Sequence, residues 1–141
     1  MFLHFIVERE HKEAFMELAH RIAKSDGFVN RNELNYIQSW TYELGLEDWE
    51  PSAEANHSTD ELVGNLQDEQ LKHIFLAEML LLIFADGNYN DEEKRIACEM
   101  QQLFGYDDET FNKIKNWVEQ MNKLKVEGMK LILHASAVKP D

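Results

Sequence analysis

The sequence predicts an all-α fold, a compact bundle of about seven helices formed around two pseudo-repeated helix-turn-helix units. Three observations carry the prediction. Apolar residues recur at helical spacing, as in Phe15, Leu18, Ala19 and Ile22, which fall at i, i+3, i+4 and i+7 on one helix face. The chain matches itself at an offset of 60 residues, with Phe15, Asp26, Gly27, Asn30, Glu33, Gly45 and Asp48 falling on Phe75, Asp86, Gly87, Asn90, Glu93, Gly105 and Asp108 without a gap. Helix stop and start signals sit at the same places in both copies.

The elements follow in order. Residues Phe2 to Val7 are a short apolar run that fits a helical turn or an extended segment equally well. The first long helix carries the Phe15 to Ile22 stripe. Its counterpart, from about Gln70 to Ala85, is apolar nearly all round and so sits deeper in the fold. Each ends at Asp-Gly, where Gly27 or Gly87 can adopt the left-handed conformation that stops a helix without a Cβ clash. Asn30 and Asn90 then act as N-caps, and Glu33 and Glu93 three residues on complete capping boxes. The helices they open bury Ile37, Trp40 and Leu44 in the first unit and Ile96, Met100, Leu103 and Phe104 in the second, and stop at Gly45 and Gly105. Between the units lies a linker from Glu47 to His57 with Pro51, followed by a short helix opened by Ser58 and Glu61. Asp107 caps a helix bearing Phe111, Ile114, Val118 and Met121, and a further helix with Met129, Leu131 and Ile132 follows a break near Gly128. The tail from Ala135 to Asp141 is expected to fray. One domain thus spans residues 1–141, with repeat units at about 12–48 and 72–108 and C-terminal helices over about 108–134.

The bulk numbers narrow the function classes. Fourteen Lys and Arg against 27 Asp and Glu give a formal charge of −13, which repels nucleic acid and anionic lipid surfaces. The longest apolar run, Met79 to Ala85, is far shorter than the roughly 20 residues of a membrane span, so no membrane insertion is expected. The single cysteine, Cys98, excludes an internal disulfide, and Met1 to Glu10 lacks a signal-peptide pattern; both point to the cytoplasm.

The segment Ala23-Lys24-Ser25-Asp26-Gly27-Phe28-Val29-Asn30 with Glu33, and Phe84-Ala85-Asp86-Gly87-Asn88-Tyr89-Asn90 with Glu93, resembles the doubled signature of the TerB-like family, named for bacterial tellurite resistance. The likeness spans roughly Phe15 to Met121. It implies a bundle of about seven helices, a bacterial cytosolic protein, a link to tellurite or other stress responses, and a divalent-cation or protein-docking surface, but no known reaction. The chain departs from the family's commoner pattern at Ser25, where Ala is usual, and at Arg31, whose positive charge weakens any cation site in the first copy relative to the second.

Two readings of the Asp-Gly turns stand side by side. Asp26 and Asp86 lie at helix C-termini, where a carboxylate meets the negative end of the macrodipole and requires a positive neighbour. That neighbour is either the free N–H groups of the next helix, a structural staple, or a hard divalent cation: calcium, magnesium, manganese or zinc. The cation reading takes Asp86 with Glu93, Asp91 or Glu92 in the second copy and Asp26 with Glu33 in the first. Neither turn has the ligand spacing of an EF-hand. The histidines His4, His11, His20, His57, His73 and His134 show no zinc spacing, and Cys98 reads as a small, partly buried hydrophobe. Glycine-rich phosphate loops and nucleophile elbows are missing as well, so no catalytic residue is assigned.

Trp49 and Trp117 are the aromatic candidates for docking a partner, and Glu47, Asp48, Glu50 and Glu54 form an acidic run beside the first of them. The leading expectation is a non-catalytic acidic interaction module with protein partners. A divalent-cation-binding domain is the alternative, and an uncharacterised enzyme comes third.

Overall fold

The computed structural model describes residues 2–24, 31–51, 57–64, 66–84 and 90–137. They form a 3-10 turn (Leu3–Phe5) and six α-helices: α1 (Arg9–Ala23), α2 (Arg31–Leu44), α3 (Thr59–Val63), α4 (Glu69–Ile83), α5 (Asp91–Phe104) and α6 (Asp108–Ala137). No strand occurs among them, and no helix of the described residues is long and apolar enough to cross a membrane. Helices α1 and α4 have 15 residues each and α2 and α5 have 14 each. Both pairs are separated by the same 60 residues in sequence.

Helix α4 lies at the centre because its sequence leaves it little polar face: nine of its residues are buried, from Ile74 to Ile83. It packs against α1, α5 and α6, while α1 also meets α2 and α3. The middle of the core is aromatic. Phe15 of α1 is fully buried and meets Trp40 of α2 edge-on at 5.0 Å and Phe75 of α4 at 5.2 Å with rings perpendicular, the arrangement that sets a positive ring edge on a negative ring face.

Local chemistry opens most of these helices. Ser58 and Glu61 form a reciprocal capping box on α3, and Asn90 and Glu93 do the same on α5, with Glu93 N–H donating to Asn90 Oδ1 at 2.8 Å and Asn90 N–H to Glu93 Oε1 at 3.0 Å. Asp68 Oδ1 accepts from Gln70 N–H on α4, and Asp107 Oδ1 accepts from Thr110 N–H on α6. Gly45 and Gly105 close α2 and α5 at φ +70° and +74°. A Cβ at Gly105 would meet nothing within 4 Å, so its cost there is conformational and not steric. Gly105→Ala is therefore expected to destabilise the protein by about 1 kcal/mol. Gly105→Asn should lose less, and urea denaturation of the two variants checks both.

Three expectations need correction. The break at Gly128 does not form: α6 runs unbroken through it for 30 residues, giving six α-helices where about seven are predicted. One glycine costs a helix only about 1 kcal/mol, and the flanking residues are helix formers. Leu103 is 38% exposed, because the buried stripe of α5 is centred on Glu93, Ile96, Ala97, Met100 and Phe104 and leaves Leu103 at its edge. Cys98 is exposed, since two residues beyond Ile96 the helix has turned to its opposite face. The open reading of residues 2–7 resolves to the 3-10 turn. Asp26, Gly27, Asn30, Asp86 and Gly87, with Ser25, residues 52–56 of the linker and the end of the tail, lie outside the described residues.

Candidate functional site

Of the residues expected to hold a cation at the two Asp-Gly turns, Glu33, Asp91, Glu92 and Glu93 are described and Asp26 and Asp86 are not. Glu33 and Glu93 stand in the first turns of α2 and α5, and both are 97% buried because they occupy the first positions of stripes that continue as Ile37, Trp40 and Leu44, and as Ile96, Met100 and Phe104. Glu93 spends Oε1 on the cap of its own helix. Glu92 turns the other way, to Arg95, whose Nε donates to it at 3.0 Å; that hydrogen bond holds the Glu92 carboxyl below its ordinary range. Arg95 also pairs with Glu99, and Asp91 is exposed at the helix start. Among the described residues no three His, Cys, Asp or Glu side chains are grouped so as to hold a metal ion.

A different set of acids does come together. Helix α1 presents Glu10, Glu13 and Glu17 at i, i+3 and i+7, the segment after α2 brings Trp49 and Glu50, and the start of α3 brings His57 and Glu61. These line a cleft of about 390 Å³ together with His11, Leu62 and Leu66. Trp49, half-buried, forms the aromatic wall, with the His20 ring 6.3 Å from it. Trp49 is held there by the tight turn in which its N–H donates to Leu46 O at 3.0 Å, Leu46 itself being buried. Arg9 ties the rim together, reaching Glu13 at 2.8 Å and Asp48 at 3.4 Å.

Inside the cleft, His57 Nδ1 is 2.7 Å from Glu17 Oε2, while Arg21 Nη1 donates to His57 O at 2.8 Å. The Glu17 hydrogen bond raises the His57 pKa above its ordinary value of about 6.5. A folded-state pKa above the unfolded one means that the His57–Glu17 pair stabilises the fold fully below about pH 6.5 and that this contribution is lost as pH rises through the raised value. His20 acts in the opposite sense: burial, then the charge of Lys24, lowers its pKa, so its stabilising neutral form is lost as pH falls through that value. Glu17→Gln is expected to bring the His57 titration back down towards 6.5, read from imidazole proton shifts against pH. An unmoved titration would mean that the pair does not form in solution.

The second aromatic candidate, Trp117, lies elsewhere. It is 41% exposed on α6 and lines an apolar groove of about 380 Å³ between α4 and α6, with the Phe2 ring tilted against it at 6.1 Å and Ile74, Ala77 and Ile114 also lining the groove. Sequence reasoning found both tryptophans but not the clefts they line, since each cleft is assembled from three separated segments. Comparison with protein-family models, curated proteins and solved structures finds no match.

Proposed function

We propose that the chain is a non-catalytic, TerB-like bacterial protein of the stress or tellurite-resistance type, acting in the cytoplasm as an acidic interaction module. The cleft around Trp49 carries this reading. Five carboxylates, from Glu10, Glu13, Glu17, Glu50 and Glu61, line the cleft beside one aromatic wall, and three of them already hold Arg9, His57 and the Ser58 N–H. This is the chemistry that holds an Arg or Lys side chain, by charge-assisted hydrogen bonds from the acids and by cation–π contact with the indole. The proposed partner is a protein presenting a basic segment. The family likeness is supported by the matched helix lengths at a spacing of 60 residues and by the paired buried glutamates Glu33 and Glu93, which an internal duplication accounts for.

Titration of the isotope-labelled protein with an arginine-rich peptide tests the reading by NMR. Saturable shifts at the Trp49 indole and the α1 carboxylates, weakened by salt and lost in Trp49→Ala with Glu61→Gln, are expected. Shifts that do not saturate, or that survive in the double variant, would sink it.

A divalent-cation site at the two Asp-Gly turns is the second reading; one observation bears on it, that Glu33 and Glu93, the described acids just beyond those turns, face inward on their helices and not out to solvent. Calorimetric titration of the metal-stripped protein with calcium, magnesium, manganese and zinc, beside the Asp26→Asn/Asp86→Asn variant, decides it. Binding lost in the variant supports the site, and an absence of heat in the parent protein removes it.

A further inference from the structure

Helix α6 is about 45 Å long. Its first half packs on α4, and it is tied to the body by Asn122 Nδ2, which donates to Phe84 O at 3.0 Å, and by Lys125 Nζ, which donates to Tyr36 Oη at 3.1 Å and sits over that ring. Its second half carries large apolar side chains in solvent: Leu124 is 62% exposed, Met129 59%, Leu131 73% and Ile132 71%. With Trp117, the side chains of Leu124 and Leu131 form an exposed apolar strip along one face of the helix.

The spacing of that surface names its occupant. Ile114, Trp117, Met121, Leu124, Gly128 and Leu131 fall at alternating intervals of three and four, the a and d positions of a heptad seam that borders the buried Phe111 and Val118 stripe; Ile114 and Met121 are half-buried against the core, and Trp117, Leu124 and Leu131 are exposed. The seam opens on the same side as the groove lined by Ile114, Trp117, Ile74 and Phe2. Two copies of the seam set antiparallel about a two-fold axis between residues 122 and 123 match a to d throughout. Ile114 then faces Leu131, Met121 faces Leu124, and the large Trp117 faces Gly128, which has open space where a Cβ would stand. Charge favours this orientation. The second half of the helix, residues 123–137, holds three lysines and one glutamate, +2, leaving −15 on the rest of the chain. An antiparallel pair lays each cationic overhang back along the other copy's acidic body and opposes the helix dipoles, whereas a parallel pair sets two cationic overhangs side by side.

We propose that α6 is the dimerisation element of this protein, and that a second copy seats its Leu131 end in the groove beside Trp117. The Gly128 that fails to break the helix has a role here, as the small residue that admits the partner's indole.

Sedimentation of the full chain from low to high micromolar concentration tests the association, beside Leu124→Glu and Leu131→Glu. A reversible dimer is expected, with both variants monomeric and their circular dichroism and melting intact, since both side chains are solvent-exposed in one copy. A parent protein that is monomeric throughout, or a dimer that persists in both variants, overturns the proposal. So does a monomer whose α6 binds phosphatidylglycerol vesicles, which would make the helix a lipid-surface element. Spin labels on Lys123→Cys and Lys130→Cys, in a Cys98→Ser background, test the register: the axial offset between copies grows by about 20 Å from the first site to the second, so the inter-label distance should be clearly longer at the second. Equal distances mean a parallel pair and overturn it.

Discussion

Phe15→Ala is expected to destabilise the protein by about 3–5 kcal/mol, the largest loss from any single truncation considered. The ring has no exposed surface, and its removal takes away both edge-to-face contacts at once, to Trp40 at 5.0 Å and to Phe75 at 5.2 Å. The three side chains come from α1, α2 and α4, so the void opens where three helices meet and no single neighbour can move to fill it. Against a typical stability of about 5–15 kcal/mol, this change alone brings the chain near unfolding. Phe75→Ala should cost a similar amount, and the double variant less than the sum of the two, because each single change already forfeits the shared contact. Urea denaturation of the four proteins gives the cycle. A loss below about 1 kcal/mol for Phe15→Ala would place the stabilising centre elsewhere.

Much of the fold is legible in the sequence because the signals that make it are local. Ser58 with Glu61, Asn90 with Glu93, and Asp107 are caps that read three residues ahead, and Gly45 and Gly105 are stops that act on their own backbone. The apolar periods of α1, α2 and α5 identify their buried faces for the same reason, apart from Leu103 at the edge of one stripe. Gly128 is misread because a helix propensity of about 1 kcal/mol is a weak prior beside the favourable residues on either side. The candidate site is less legible. Trp49 can be picked out by residue type, but Glu10, Glu13, Glu17 and Glu61 gain meaning only when α1 and α3 are brought to one cleft, a tertiary event with no mark in local spacing. Glu33 and Glu93 show the reverse. Their spacing from Asn30 and Asn90 is legible as a cap, whereas their burial depends on which way the stripe of the helix faces.

The same limit hides a second structural device, the anchoring of the N-terminal turn by two acids. Phe2 N–H donates to Glu78 Oε1 at 2.8 Å and Leu3 N–H donates to Glu43 Oε2 at 3.1 Å, residues 76 and 40 positions away. Glu78 is fully buried in the otherwise apolar middle of α4, so its hydrogen bonds are made where little water competes for them. Together the two carboxylates hold Leu3 and Ile6 in the core and set Phe2 against Trp117 at the groove. Glu78→Ala is expected to cost about 1–3 kcal/mol, the range for leaving a hydrogen-bond partner unsatisfied in a poorly hydrated place. Glu78→Gln keeps a carbonyl acceptor at the same reach and should lose less. Glu43→Ala should also lose less, since Glu43 is half-buried and water can take its place. Hydrogen exchange separates this account from a general loss of packing. In Glu78→Ala the Phe2 and Leu3 amides should lose protection well before those of α4, whereas equal losses across both segments would mean that Glu78 serves the core of α4 and not the N-terminal turn.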